Sequence, residues 1–284
     1  MMEQPEIKNH PCFSPAAAHQ HARIHLPVAK RCNINCNYCN RKYDCLNESR
    51  PGVTSEITTP LEALQRYKYY QTRLNNLSVV GIAGPGDALA DWELSRQTFR
   101  LIREYDPEVL LCMSTNGLKL PLLADSIAEM GINHVTVTLN TLDPRTGARI
   151  YGFVNYRGYK YTGVEGAGLL LDNQLTGIRL LIRHGIIVKV NIVMIPGVNQ
   201  QEIGGIVREM KNLGVFITNI MPLIPVKGSV FAHLPAPTPD ELMTVRKTCQ
   251  TEMRQMFHCQ QCRADAVGLL KDHTCAKAIR QQAV

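Results

Sequence analysis

Between Ile24 and Pro225 the chain alternates six short Val- and Ile-rich runs with helical stretches. The strand candidates are Ile24–Ala29, Leu77–Ile82, Val109–Met113, His134–Leu139, Ile186–Ile195 and Phe216–Met221, bounded by Gly, Asn or Pro. The helix candidates are Pro60–Asn75, Asp91–Tyr105, Leu120–Met130, Val164–His184 and Gln200–Leu213. Thr59 before Pro60 predicts an N-cap with Pro at the first helical position. Gly131, Gly185 and Gly214 each follow a helix and suit C-caps. Such alternation predicts a parallel sheet with right-handed crossovers. A complete eight-fold barrel takes about 250 residues. The expectation is therefore an α/β fold, an incomplete six-stranded (β/α)6 TIM-like barrel open on one side. Its active site belongs in the loops after the strands.

Three segments read as one compact unit: a barrel over 24–225 with extensions at 1–23 and 226–284. The first extension carries His10-Pro11-Cys12-Phe13, His19 and His21. The second opens on the Pro-rich Leu234 to Pro239, continues as a helix from about Asp240, and reaches Cys259-Gln260-Gln261-Cys262. No 18-residue apolar run predicts a transmembrane helix. Met1 to Pro11 is polar and lacks a signal-peptide core, so a cytoplasmic location is expected. Ten cysteines in that compartment point to metal ligands rather than disulfides. The net charge of +7 is scattered without a Lys/Arg run, which argues against nucleic-acid binding.

The run Cys32-Asn33-Ile34-Asn35-Cys36-Asn37-Tyr38-Cys39 follows the first strand candidate. It is a C-x3-C-x2-C triplet. Three thiolates this close can hold three corners of a 4Fe–4S cube, whereas a full protein cage uses four cysteines. The remaining iron is then open to an exchangeable ligand. A structural zinc site is the competing reading, but zinc knuckles usually pair one C-x2-C with a second. The spacing, with an aromatic before the last Cys, resembles that of the radical S-adenosylmethionine (SAM) enzymes. The resemblance implies that SAM chelates the open iron through its amino and carboxylate groups.

Other motifs narrow the likeness. The stretch Cys32 to Gly52, CNINCNYCNRKYDCLNESRPG, resembles the NifB family of nitrogenase iron–molybdenum cofactor biosynthesis. So do His10-Pro11-Cys12-Phe13-Ser14, Cys45 six residues past the triplet, and CQQCRADAVGLL from Cys259 to Leu270. Many members carry an added C-terminal carrier-like domain, and this chain looks like the stand-alone form. The resemblance implies a radical SAM enzyme that fuses two 4Fe–4S substrate clusters into an eight-iron cluster with a central carbide. One SAM gives the carbon as a methyl group. A second is cleaved to a 5′-deoxyadenosyl radical that takes hydrogen from that methyl, and a ninth sulfur is incorporated. The implied partners are SAM and the iron–sulfur donor and carrier or scaffold proteins of nitrogenase assembly, with no nucleic acid or membrane.

That chemistry needs ligands for three clusters. Cys32, Cys36 and Cys39 would hold the SAM cluster. Six further candidates are Cys12, His25, Cys45, Cys112, Cys259 and Cys262. Cys45, Cys259 and Cys262 could form one set, and Cys12, His25 and Cys112 the other. His25 is placed at the start of strand one, where the family carries a nitrogen ligand, with His19 and His21 as alternatives. Cys112 is placed at the end of strand three. Cys249 and Cys275 have no motif around them. For SAM the candidates are Gly84, Gly86 and Asp87 in the glycine-rich loop after strand two, then Asn116, Thr138, Asn140, Val190 and Asn191. Tyr38 is expected to pack on adenine. Glu48 and Arg50 either orient SAM and move protons or form a salt-linked loop. Two other readings remain: a radical SAM enzyme with auxiliary clusters, molybdenum-cofactor cyclase-like or peptide-modifying, and a non-enzymatic iron–sulfur scaffold.

Overall fold

The computed structural model describes residues 7, 9–47, 49, 50 and 52–270. Six parallel strands stand side by side: β1 (Ala22–His25), β3 (Leu77–Ile82), β4 (Leu110–Thr115), β5 (His134–Thr138), β8 (Ile187–Met194) and β9 (Ile217–Pro222). Helices α2 (Pro60–Gln71), α3 (Trp92–Tyr105), α4 (Leu120–Glu129), α6 (Gly163–Arg183) and α7 (Ile203–Leu213) connect them, and α8 (Pro239–Gln250) follows β9. The six-unit open barrel expected from the alternation is what forms. Thr59 caps α2 with a full capping box: its hydroxyl accepts from the Glu62 amide, and Glu62 accepts from the Thr59 amide. Gly214 ends α7 at φ +87°, a conformation that costs a side-chain-bearing residue energy.

The strands separate two environments. On β8, Val188, Val190, Ile192 and Met194 join the core against the helices, while Lys189 and Asn191 face inward. The helices answer in kind: α7 buries Ile203, Ile206, Val207 and Met210, the i, i+3, i+4, i+7 stripe of an amphipathic helix. This core holds the sheet rigid, so its inner face can carry polar side chains.

Three features depart from the expectation. First, β1 stops at His25 instead of running to Ala29, because Pro27 has no amide to donate. His25 therefore stands at the C-terminal end of its strand, the mouth side, and not at its start. Second, the sheet gains a seventh strand. β10 (Val267–Gly268) pairs antiparallel with β1, Arg23 opposite Gly268 and Ile24 opposite Val267. Third, β2 (Ile34–Cys36), β6 (Tyr151–Tyr156) and β7 (Tyr159–Tyr161) form a separate antiparallel sheet. Arg157 and Gly158, both at positive φ (51° and 85°), make the two-residue turn between β6 and β7. Cys36 itself pairs with Tyr151, so the cysteine triplet is partly strand and is stapled to this sheet. Short elements α1 (Ala17–Gln20) and α5 (Pro144–Ile150) complete the fold. Among the described residues no helix is long and apolar enough to cross a membrane.

Candidate cluster and cofactor site

Two cavities lie on the inner side of the sheet, the first just past the C-terminal ends of β3 and β4 and the second along the middles of β4, β5, β8 and β9. The first, about 370 Å³, is lined by Cys32, Cys36, Cys39 and Cys45 together with Asp87 and Asn116. The second, about 630 Å³, is lined by Cys12, Cys112, Cys259, Cys262, His25 and Lys189, among others. Among the described residues no three His, Cys, Asp or Glu side chains converge on one metal ion. A four-iron cube asks less, since each ligand meets a different iron. Three triplet thiols on one cavity wall fit a 4Fe–4S cluster with one open corner.

Burial dominates the electrostatics. It pushes the Cys32 thiol up to about 12, with Asp87 adding to the effect, and raises Cys36, Cys39 and Cys12. Ligation at these thiols must displace a proton. Burial, then Arg23, lowers His25 to about 4, so its imidazole is neutral and able to ligate.

The polar groups of the first cavity are closely engaged. Asp87 accepts from the Leu89 amide (3.0 Å), the Ala90 amide (2.9 Å), the Thr115 hydroxyl (2.9 Å) and the Asn116 amide (2.6 Å). The Gly86 amide donates to Ala29 and the Asp87 amide to Arg31, so these two N–H groups are not free for SAM. A Cβ on Gly86 would lie 2.2 Å from the Arg31 carbonyl oxygen, so only glycine fits there. Asn116 donates to Asn33 Oδ1 at 2.6 Å and approaches Cys32 Sγ at 3.7 Å.

Described residues of the stretch 45–50 meet both cavities. Cys45 lines the first, Leu46 and Ser49 line the second, and the Arg50 amide donates to the Cys262 carbonyl at 2.7 Å. A run of amides passes through Asn47. Asn47 donates to Cys36 Sγ at 3.9 Å, Asn191 donates to the Asn47 carbonyl at 2.8 Å, and Asn219 donates to Asn191 Oδ1 at 3.1 Å and Cys259 Sγ at 3.3 Å. The two sets of thiols are thus joined by three asparagines.

The second cavity rests on an in-register row across the sheet. His25 stands beside Gly81, Gly81 beside Cys112, and Cys112 beside His134. A Cβ on Gly81 would sit 2.9 Å from Cys112 Sγ and 3.3 Å from His25 Cδ2. The bare glycine keeps both side chains over one spot.

Several expected site residues are placed differently. Tyr38 does not face a ligand: it is fully buried in the core beneath the triplet, donating to Asn47 Oδ1 (2.6 Å) and accepting from Asn140 (2.8 Å). Asn140 is likewise engaged, with Tyr38, Tyr151 and the Val193 amide. Val190 packs against the helices. Thr138 is buried on the inner face of β5, its carbonyl accepting from Gln174. Arg50 lies at the Cys259–Cys262 loop, reaching the Gln260 carbonyl at 3.5 Å, and not at the triplet. Cys112 is mid-strand rather than at a strand end. Cys45 is in the triplet's cavity, apart from Cys259 and Cys262. Cys249 is buried in the helix-side core. Glu48 and Cys275 lie outside the described residues. Sequence reasoning missed Arg41, beside Cys39, and Lys189 and Asn219. A lone polar residue at an inward position of an apolar strand was the available signal for the last two.

Known proteins were compared with this arrangement. Residues 26–210 match the family described as the Radical SAM superfamily. The FeMo cofactor biosynthesis protein NifB of Herbaspirillum seropedicae is 47% identical over 276 residues, covering 96% of this chain and 53% of that protein. NifB of Klebsiella pneumoniae is 49% identical over 265 residues, covering 92% of this chain and 57% of its own. The chain thus spans about half the length of the curated relatives it matches. Among solved structures, "Native anSMEcpe with bound AdoMet" superposes with a TM-score of 0.56 at 13% identity, over 83% of this chain and 64% of that one. Methylornithine synthase (PylB) gives 0.52 at 12% identity, over 94% and 79%. These two likenesses speak to the fold alone. With the matched family spanning most of the barrel and the cysteine triplet in its cavity, the chain belongs to the radical SAM superfamily.

Proposed function

We propose that this chain is a radical SAM enzyme that fuses two 4Fe–4S substrate clusters and inserts a SAM-derived carbide, giving the eight-iron precursor of the nitrogenase cofactor. The observation that carries the reading is the second cavity. It gathers Cys12, Cys112, Cys259, Cys262 and His25 beside the triplet's cavity, from four distant parts of the chain. Thiols and a neutral imidazole gathered on one cavity wall suit further iron–sulfur clusters. The likeness to NifB proteins over more than nine-tenths of the chain supports it.

In this reading Cys32, Cys36 and Cys39 hold the resident cluster. When bound, that cluster and SAM supply a 5′-deoxyadenosyl radical. The chain's own residues position and shield. Asp87 and Asn116 fix the wall around Cys32, and the glycine-rich loop packs against residues 29–31. The amide run from Asn47 to Asn219 sets the distance between the two thiol groups. Neutral His25, with Cys12 and Cys112, holds substrate iron weakly enough to let it leave. The partners are iron–sulfur donor and cofactor-carrier proteins in the cytoplasm.

Anaerobic reconstitution followed by iron counting tests the reading. About twelve irons per chain are expected, three clusters of four. Dithionite should then drive SAM cleavage with formation of an eight-iron product. A count of about eight or fewer, or twelve irons with no SAM cleavage, would sink it.

A further inference from the structure

Lys189 occupies an inward position on β8, whose neighbours Val188 and Val190 lie in the apolar core. The residue is only 7% exposed and lines the second cavity. Its ammonium is 5.1 Å from the centre of the Phe13 ring. Among the described residues no carboxylate forms an ion pair with it. The ionisable groups that feel its charge are His10, His25, His134, His258 and Cys12, whose proton equilibria burial shifts toward the neutral form. Asp265, the acid that acts on His25, is held by Arg263 at 2.7 Å and 3.2 Å.

A second buried cation, Arg23, makes the contrast. Its guanidinium is anchored to the carbonyls of Gly268 and Leu269, and it donates to Cys262 Sγ at 3.0 Å. Lys189 has no such anchor. An ammonium facing a largely enclosed cavity without a carboxylate partner is unfavourable, and one ring face offsets only part of that cost. The chain carries it where a methionine of similar length would pack without cost. The missing counter-charge must come from the occupant of the cavity.

We propose that Lys189 is a positioning cation: its ammonium is the counter-charge for an anionic occupant of the second cavity. Under the function proposed above, on which this rests, that occupant is a 4Fe–4S substrate cluster made net negative by its thiolate ligands. Neutral His25 adds no charge to the cavity, and Arg23 is turned toward one cysteine. Lys189 therefore sets the field across the remainder. Its flexible, unanchored stem lets the charge follow the iron as the occupant changes.

The test compares Lys189→Met and Lys189→Arg with the unaltered chain, chelator-stripped and reconstituted. Stripped, the Met variant should melt higher, because an uncompensated buried charge is gone. Reconstituted, it should lose second-cavity iron roughly tenfold faster under a chelator challenge. Its second-cavity signals should shift to more negative potential, since reduction loses a stabilising positive charge. The Arg variant should keep both iron and potential, and the triplet's signal should stay put throughout. If the Met variant does not fold, Lys189→Gln carries the same expectations. A Met or Gln variant that holds iron as tightly as the parent, at the same potential, overturns the proposal. An unaltered chain that takes up about eight irons or fewer removes the cluster-fusing function instead. The melting comparison still judges Lys189 in that case: no gain in the stripped variant overturns its role as an unpaired cation.

Discussion

The two cavities stand side by side, yet they are finished to different degrees. In the first, the cysteines fall within residues 32–45, and the facing carboxylate of Asp87 already has four donors. In the second, the ligands arrive from both ends of the chain and from β1 and β4. Among the described residues, the buried Lys189 lines it without an ion pair, and His10 Nε2 and Asn219 Oδ1 have no hydrogen-bond partner. A wall complete in itself suits a group that stays. A wall with loose polar ends and spare positive charge suits a cargo that enters, changes and leaves.

Losing a triplet thiol should give the largest effect. Replacing Cys32, Cys36 or Cys39 with Ala is expected to reduce 5′-deoxyadenosine formation to background, while iron remains in the second cavity. Equal loss of iron from both cavities would erase the distinction between them. Next come Cys12→Ala and Cys262→Ala. Bound iron should fall from about twelve toward about eight per chain, and the fused product should disappear. Uncoupled SAM cleavage should persist, measured as 5′-deoxyadenosine without product. Unchanged iron and product in both variants would make these ends merely structural.

Gly81→Ala sharpens the comparison further. The new methyl would press on Cys112 and His25 without touching the triplet. Pulsed electron paramagnetic resonance should show an altered or lost nitrogen coupling from His25. Overpacking of this kind costs about 1–3 kcal/mol, read in denaturant unfolding. An unaltered coupling would place the nitrogen ligand at His19, His21 or another group. The smallest change is a control far from both cavities. Thr238 caps α8 through a capping box with Glu241, so Thr238→Ala should cost about 1 kcal/mol and leave iron content intact.

The sequence was most readable where chemistry is local. The triplet, its strand-to-loop position and the six β/α units follow from spacing and periodicity, because each is settled within about twenty residues. The second sheet was hidden. Ile34–Cys36 is too short and polar to register as strand, and its partner Tyr151–Tyr156 lies beyond three intervening strands. The asparagine run was hidden for the same reason: Asn191 meets Asn47 across 144 positions. Tyr38 misled in a different way. Between two ligands it looked available, but its ring completes the apolar cluster beneath them and its hydroxyl is held from both sides. Arg50 was read by its nearness in sequence to the triplet, whereas the fold turns it toward Cys262. Lys189 gave its signal as a single charge within Ile187–Met194, easily taken for a solvated edge.

The pairing of β1 with β10 also sets an order of events. The Arg23 side chain reaches Gly268 across 245 positions, and the His25 amide donates to the carbonyl of Ala266. During synthesis the lining of the first cavity, Cys32 to Asn116, has emerged long before Cys259 and Cys262 exist. Domains fold as their residues become available, and contacts of such long range close last. The chain therefore assembles the wall of the first cavity before that of the second. Until β10 docks, the His25 amide lacks its partner at Ala266. The wall of the second cavity is therefore incomplete until residues 259–268 have been made.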